Sequence, residues 1–302
     1  MRLRCLLYSS CILLPLVMTA GGRGEQPPTV VDANRGSNFV RIKRDGRDTA
    51  VAMETAIVSY VPRRDRNSGV IVDLISAVHV ADAGYYEQLN RRFETYDAVL
   101  YELVAPAGTR IPKGGRKNGH PVAAVQGGMK SVLDLAYQLE SIDYTKLNLI
   151  HADLSPQEFS QTMKDRGESF SQIFFRAMGQ AMAQQNSKNG GSGDMRMLFA
   201  LFSADRPLAM KRMMAEQFED LEGSMNVFDG PDGSTLISER NKRALDVLQK
   251  QLAAGKKRIG IFYGAGHMPD IERRLAKAPF SLEPKSVRWL LAWDLSGKKS
   301  GQ

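Results

Sequence analysis

The sequence predicts an α/β fold with a central sheet, mostly parallel or mixed, that is flanked by helices and interrupted by a helical insertion. Apolar, β-branched segments alternate with segments of helical periodicity, which is the pattern of proteins that pack helices on a sheet. Two of the apolar segments end in a histidine, His79 and His267, close to the start of a helix. The chain has 302 residues, 43% of them hydrophobic and 25% charged, so it can bury a large core as a soluble protein.

The first 22 residues predict a secretory signal peptide. Arg2 and Arg4 precede an apolar run over residues 5–20, and small residues follow at Gly21 and Gly22. The run is short for a membrane span of about 20 residues, although an uncleaved anchor remains the alternative interpretation. We therefore expect an exported protein, periplasmic or extracellular, that touches a membrane only if the leader is retained.

Cysteine usage and charge exclude several kinds of site. Cys5 and Cys11 both lie within the predicted leader, so the mature chain would have no disulfide, cysteine nucleophile or thiolate metal ligand. The net charge is +8, from 41 basic and 33 acidic residues. The basic residues are scattered and no basic stripe alternates with aromatic residues, so nucleic-acid binding is not expected. A peptide or a small molecule is the expected partner, and the oligomeric state is left open.

Residues 46–296 are predicted to form one α/β domain after a flexible lead-in at residues 23–45. Ala50–Val61 carries β-branched residues and predicts a strand, and residues 62–69 end in a hairpin-like turn. Val70–Val78 is apolar enough to form a strand that is buried on both faces, and His79 follows it directly.

The next elements alternate between helix and strand. Asp82 is a plausible N-cap for a helix that extends to Tyr96, and Ala98–Val104 predicts a strand that places Glu102 near its carboxyl end. A basic, glycine-rich surface loop follows, with a solvated His120, and then an amphipathic helix at Met129–Ile142. Leu147–Asp153 predicts a short strand that carries His151 and Asp153 near its end.

Residues 155–223 predict the helical insertion. Ser155, Pro156 and Glu158 have the spacing of a capping box with proline at the first helical position. The insertion is rich in methionine and is broken by a flexible linker at residues 186–193, and its apolar stripes predict either a packed helical layer or an adaptable cap over the site. The remaining predicted elements are a helix at Leu236–Leu252, a strand at Arg258–Tyr263, a helix at Pro269–Ala276 and a strand at Val287–Leu295.

His79, Glu102 and His267 all lie where a predicted strand ends. Ligands of open α/β sheets bind at the carboxyl ends of the strands, so these three side chains could share one crevice. Two imidazoles and a carboxylate can hold a divalent ion and leave open positions for water and substrate. They can also act without a metal, with Glu102 orienting an imidazole that deprotonates water. The residues by themselves leave both mechanisms open.

Further residues are weaker candidates. On a regular helix, Asn241 lies on the buried face and Arg240 at its margin, while Glu239 lies nearly opposite. This geometry favours Arg240 and Asn241 as residues that face the site, although an ordinary charged first turn explains the segment equally well. A strand-terminal His-x-Asp is a weak signal, and for His151 a structural role is favoured.

At these residues the chain resembles the TraB/PrgY/GumN family, which includes the TIKI metalloproteases. The wider clan contains erythromycin esterase and haem-binding ChaN-like proteins. The family has two Gly-x-x-His motifs with a glutamate between them. The second motif is intact here at Gly264 to His267, whereas the first has Ser76 in place of glycine before His79.

The resemblance implies an EreA/ChaN-like fold and a catalytic or metal-binding set of His79, Glu102 and His267, supported by Glu239 and Arg240. It favours an exported metal-dependent peptidase similar to TIKI, with a divalent ion (Mn, Co or Zn) at the three residues and with Arg240 stabilising an oxyanion. The alternatives are a metal-independent, esterase-like hydrolase, a non-catalytic module that binds peptides or inhibits a signal, and a haem-binding protein. Fold analogy does not transfer a substrate.

Overall fold

The computed structural model describes residues 29–30, 39–106, 108–109, 111–114, 135–169, 205–224 and 233–297. The predicted signal peptide, His120 and the linker at 186–193 lie outside these ranges. Within them, no helix combines the length and the apolar character that crossing a membrane requires. The strands are β1 (Thr29–Val30), β2 (Val40–Arg44), β3 (Ala50–Pro62), β4 (Ile71–Ala77), β5 (Val80–Ala81), β6 (Ala98–Tyr101), β7 (Ala136–Tyr137), β8 (Leu149–His151), β9 (Arg258–Gly264) and β10 (Leu282–Asp294). The helices are α1 (Ala83–Phe93), α2 (Gln138–Ser141), α3 (Pro156–Asp165), α4 (Arg206–Ser224), α5 (Arg240–Ala253) and α6 (Met268–Leu275).

A central mixed sheet of eight strands organises the chain. Its order is β1-β10-β3-β4-β9-β6-β8, and β2 pairs with the first half of β3. The strands β10, β3 and β4 are antiparallel neighbours, whereas β4, β9, β6 and β8 are parallel to one another. This confirms the predicted α/β class with a mixed sheet. The parallel half gathers the carboxyl ends of four strands at one edge.

Helices cover both faces of the sheet, and each face has its own apolar core. On one face, α1 and α4 pack on the sheet, and on the other face α5 and α6 do so. Buried aliphatic and aromatic side chains of this kind each contribute about 1.5–3 kcal/mol. The buried helical residues are Tyr85, Tyr86, Leu89, Phe93 and Ala215 on the first face, and Ala244, Leu245, Leu248, Ile271 and Leu275 on the second.

The expected flexible lead-in at residues 23–45 is wrong for its last part, because Val40–Arg44 forms strand β2. Val40 is buried and Ile42 packs against the same core, whereas Arg41 and Lys43 both pair with Glu54 on β3. This alternation of apolar and charged residues is the period-2 pattern of a half-buried strand.

The expected helix at Met129–Ile142 is also wrong for the part that the structure describes. Ala136–Tyr137 pairs with β5 as strand β7, and only Gln138–Ser141 is helical. Residues 129–134 lie outside the described ranges. The helical periodicity is overridden by tertiary pairing with β5, which follows His79 directly.

The capping box at the start of the helical insertion is confirmed. Oγ of Ser155 accepts a hydrogen bond from the backbone of Glu158, and the Glu158 carboxylate accepts one from the backbone of Ser155. Of the rest of the predicted insertion, the structure describes α4, and residues 170–204 lie outside it. Lys211 of α4 donates to Asp82, the residue before α1, so α4 is tied to the main domain.

Candidate functional site

The residues that come shortly after four parallel strands lie together at one edge of the sheet. His79 follows β4, Glu102 follows β6, Asp153 follows β8, and His267 closes a 3₁₀ turn at Ala265–His267 that follows β9. The register aligns Ala77 of β4 with Gly264 of β9, so the two histidine-bearing turns start side by side. This edge is where open α/β sheets bind their ligands.

Glu102 is the centre of the polar network at this edge. Its Oε2 accepts a 2.8 Å hydrogen bond from the backbone N–H of Gly264, and its Oε1 accepts a 2.7 Å hydrogen bond from Nη2 of Arg240. Nε2 of His267 lies 3.4 Å from the same Oε1. The Glu102 carboxylate therefore has a fixed orientation.

Arg240 is held by a second carboxylate. Its Nε lies 3.0 Å from Oδ1 of Asp153 and its Nη2 lies 2.6 Å from Oδ2, which makes a bidentate pair. Nη1 faces the carbonyl of Leu236 at 3.4 Å and Nε2 of His267 at 3.5 Å. The guanidinium donors thus point at the protein, which does not support the predicted role of Arg240 as an oxyanion ligand. The contacts instead make Arg240 the group that links Asp153, Glu102 and His267.

A π-helical turn at Thr235–Glu239 precedes α5 and places Arg240 and Asn241 on the inner face. The structure buries both residues, as the helical geometry predicted. Nδ1 of His267 lies 2.7 Å from Oδ1 of Asn241. Nδ2 of Asn241 donates to the carbonyl of His267 at 3.2 Å and to Oδ2 of Asp270 at 2.9 Å. His267 is therefore anchored on its Nδ1 side, inside the protein.

His79 lies at the exposed mouth of the same site. Its Nδ1 lies 3.2 Å from Oε1 of Gln138, and Nε2 of Gln138 donates to the hydroxyl of Tyr144 at 3.0 Å. The backbone N–H of Gln138 also donates to the carbonyl of His79 at 3.0 Å. The short β5–β7 pairing holds the side-chain amide of Gln138 against the imidazole of His79. Because Nδ1 faces this amide, Nε2 of His79 points away from Gln138.

Gly264 marks the space that the three predicted residues share. A methyl group at this position would lie 3.4 Å from Oε2 of Glu102 and 3.9 Å from both Cδ2 of His267 and Nε2 of His79. One carbon-sized position therefore contacts all three side chains. The structure brings the distant histidines together with the glutamate that ends the neighbouring strand.

The local charges fix the ionisation of Glu102. Burial by itself would raise the pKa of Glu102, but His267, Arg240 and His79 outweigh it and hold that pKa well below its usual range. Burial lowers the pKa of Arg240, whereas its hydrogen bond to Asp153 and the charges of Glu102 and Asp153 raise it further, with a net upward shift. Near neutral pH the site therefore contains an ionised Glu102 and a charged Arg240.

The predicted divalent metal site does not fit this arrangement. Among the described residues, no group of three His, Cys, Asp or Glu side chains is placed so that it could hold a metal ion. The guanidinium of Arg240 lies against Oε1 of Glu102 and Nε2 of His267, and Oε2 of Glu102 accepts from Gly264. A divalent cation would have to displace this guanidinium to reach the same atoms.

Two of the candidates point elsewhere. The carboxylate of Glu239, expected as a supporting residue, pairs with Arg166 and Lys242 at 3.1 and 2.8 Å. His151 faces the carbonyl of Leu103 at 2.6 Å and packs its ring edge-on to Tyr101, in keeping with a structural role.

Gln138 and Asp270 are residues of the site that the sequence did not single out. Gln138 falls within the longer helix expected from the sequence, and only the β5–β7 pairing brings it to His79. Asp270 falls in the first turn of α6, three residues after His267, and that spacing was available as a signal. A separate cleft of about 440 Å³ between α5 and α6 includes Asp270 but neither histidine.

Comparison with protein-family models, with curated proteins and with solved structures finds no match to this chain. The resemblance to the TraB/PrgY/GumN family therefore stays a prediction that depends on the motifs around His79, Glu102 and His267.

Proposed function

We propose that this chain is a hydrolase that cleaves an ester or amide bond with His79 as general base. The observation that carries the proposal is the convergence of His79, Glu102 and His267 within 4 Å of one carbon position at Gly264. Two imidazoles and an ionised carboxylate at the carboxyl edge of a parallel sheet form a site where a water molecule can be activated.

His79 is the better placed of the two bases. It is exposed at the mouth of the site, whereas His267 is buried. With its proton on Nδ1 and facing Oε1 of Gln138, His79 presents the lone pair of Nε2 to the space beside Gly264. The role assigned to Gln138 is thus to orient the base.

The reaction begins when Nε2 of His79 accepts a proton from water as the water oxygen bonds to the substrate carbonyl carbon. The π electrons move onto the carbonyl oxygen and give a tetrahedral oxyanion. The oxyanion then collapses, the bond to the leaving alcohol or amine breaks, and the leaving group takes the proton from His79. The products are a carboxylic acid and an alcohol or amine, and the pairing with Arg240 helps to keep Glu102 ionised beside the reacting atoms.

The predicted metal-dependent peptidase belongs to the same reaction class. The acid–base version is favoured because the Arg240 guanidinium already lies against the atoms that a divalent ion would need. Peptides and small esters both remain within the proposed substrate class, and export of the protein stays part of the proposal.

The test is a panel of chromogenic esters and short peptides, assayed with the purified full-length chain and with the His79→Gln variant. We expect hydrolysis of at least one substrate class and a loss of about 10²–10⁴-fold in kcat for His79→Gln, the usual contribution of a general base. His151→Gln is the matched control, because His151 also lies at the carboxyl end of a strand but faces a backbone carbonyl. Equal activity of the His79 variant and the wild type would disprove the role of His79, and no turnover on any substrate would count against the hydrolase.

A further inference from the structure

The ring of His267 lies between two groups whose hydrogen-bonding roles are fixed by their own partners. On one side, Oδ1 of Asn241 lies 2.7 Å from Nδ1. On the other side, Nη1 of Arg240 lies 3.5 Å from Nε2. Oε1 of Glu102 also lies on this side, 3.4 Å from Nε2, and it already accepts a hydrogen bond from Nη2 of Arg240 at 2.7 Å. Arginine has only donors, so its contact with Nε2 offers a hydrogen and does not need one.

The amide of Asn241 cannot turn around without losing two hydrogen bonds. Its Nδ2 donates to the carbonyl of His267 at 3.2 Å and to Oδ2 of Asp270 at 2.9 Å, and both of these atoms are acceptors. Rotation by 180° would place the amide oxygen against two acceptors, one of them charged. Because Nδ2 faces the acceptors, the atom facing His267 is the amide oxygen, which requires a proton on Nδ1.

Asp270 is itself held in place from outside the site. Nη2 of Arg273 lies 3.0 Å from its Oδ1, and Nε of Arg274 lies 2.6 Å from its Oδ2. Asn241 is fully buried and Asp270 is 7% exposed, so competition from water is small. The chain of contacts runs from two arginines of α6 through Asp270 and Asn241 to the imidazole.

We propose that Asn241 and Asp270 are positioning residues that set the tautomer of His267, with the proton of the neutral ring on Nδ1. Nε2 then carries the lone pair of the ring and faces Nη1 of Arg240 at 3.5 Å. The inference rests on the proposed function for its catalytic consequence, which is that His267 serves as the second acid–base group. The tautomer itself is a property of the resting protein and needs no substrate.

The test is nitrogen NMR of the full-length chain labelled with ¹⁵N at its histidine rings, recorded at a pH where the rings are neutral. The chain has four histidines, and the His267→Gln variant identifies the His267 signals by their loss. We expect the wild-type ring to carry its proton on Nδ1. In Asn241→Leu the acceptor at Nδ1 is gone, and we expect the proton to move to Nε2, facing Glu102.

A reciprocal exchange of residues 241 and 270 tests whether the tautomer depends on the acceptor at Nδ1 or only on how residue 241 packs. The double variant Asn241→Asp/Asp270→Asn swaps donor and acceptor across the 2.9 Å contact and keeps the net charge. It loses the hydrogen bond to the carbonyl of His267 but still offers an acceptor to Nδ1, so we expect it to retain the Nδ1 proton. Asp270→Ala, which leaves Asn241 in place but removes one of its two anchors, should give a mixture of both tautomers. Asp246 is an exposed acidic residue of α5 that lines the same cleft between α5 and α6 as Asp270, and Asp246→Ala should leave the tautomer unchanged.

Kinetics provide the second readout. On a substrate that the wild type cleaves, Asn241→Leu should lower kcat about 10–100-fold with little change in KM, and the double exchange should recover most of that loss. A wild-type proton on Nε2, or the same tautomer in Asn241→Leu as in wild type, would overturn the inference. If the tautomer shifts as expected but no substrate is cleaved, the positioning holds and the proposed hydrolase fails, so the two failures are distinguishable.

Discussion

Nη2 of Arg240 lies 2.7 Å from Oε1 of Glu102 and 2.6 Å from Oδ2 of Asp153, so one nitrogen bridges two carboxylates that follow different strands. The side chain of Asp153 is fully buried, and that of Glu102 is 11% exposed. Both carboxylates therefore depend on this guanidinium for their charge compensation.

The first prediction concerns the removal of this bridge. Arg240→Gln should lower the free energy of unfolding by about 3–5 kcal/mol, because it leaves Asp153 and Glu102 uncompensated in the interior. Arg243→Gln is the control on the same helix, since its pair with Glu158 is partly exposed and should be worth about 0–1 kcal/mol. Urea unfolding measures both values, and equal effects of the two substitutions would contradict the bridging role.

The second prediction is a dependence of stability on pH. The pKa of Glu102 is lowered by folding, so its contribution is complete above the unfolded value of about 4.3 and is lost as the pH falls towards the lower folded value. At pH 7, Glu102→Gln should therefore be less stable than wild type by about 1–3 kcal/mol. That difference should narrow below a pH of about 4.3.

Urea unfolding between about pH 3 and pH 7 measures the difference in the free energy of unfolding between Glu102→Gln and the wild type. Glu87→Gln, a change at an exposed residue of α1, serves as the control and should follow the wild type at every pH. A wild-type advantage over Glu102→Gln that grows on acidification would have the wrong sign and would disprove the assignment.

The third prediction concerns the space at Gly264. Gly264→Ala adds a methyl group at ordinary contact distances, 3.4 Å or more from its nearest neighbours, so the protein should fold with a melting temperature close to wild type. The methyl group would occupy the shared space, and we expect hydrolysis to fall at least tenfold. In Gly260→Ala, by contrast, the methyl group would lie 2.7 Å from Cδ1 of Ile75, and this variant should be clearly destabilised. Full activity of Gly264→Ala would show that the reacting atoms do not lie there.

The fourth prediction addresses the divalent ion. Because Arg240 lies against Glu102 and His267, we expect purified protein to carry much less than one transition-metal ion per chain. A chelator should change neither the melting temperature nor the rate of hydrolysis. Mass analysis of the metal content and thermal melts with and without Mn, Co or Zn measure this. About one bound ion per chain, lost in His267→Ala, would instead support the metal-dependent peptidase.

Much of the sheet could be predicted because its strands show as local runs of apolar residues in the sequence. The apolar run before His79, the strand before Glu102 and the strand before Gly264 were all predicted correctly, since strands that are buried on both faces are almost continuously apolar. The rule that ligands bind at the carboxyl ends of parallel strands then led to the correct juxtaposition of His79, Glu102 and His267. Wheel geometry placed Arg240 and Asn241 correctly, because a helix of regular pitch has a defined buried face.

The remainder depends on contacts between distant parts of the chain. Gln138 reaches His79 only through the β5–β7 pairing, and no local periodicity reports that pairing. The pairing of Arg240 with Glu102 and Asp153 could likewise not be predicted from local sequence, and the proposal of an acid–base site in place of the expected metal site depends on this pairing. The strand at Val40–Arg44, in contrast, is recognisable from its alternation and was missed because it adjoins a polar stretch.

The π-helical turn at Thr235–Glu239 has a consequence for the effect of length changes in the chain next to the site. An α-helix turns by about 100° per residue, and a π turn contains one residue more than an α turn would need. Arg240 belongs to the same regular helix as the apolar residues of α5, so deleting a residue from this turn would rotate the chain before Thr235 relative to α5 and leave Arg240 beside Glu102. A single deletion here can thus change the direction from which the chain enters α5 without moving the reactive edge of the molecule.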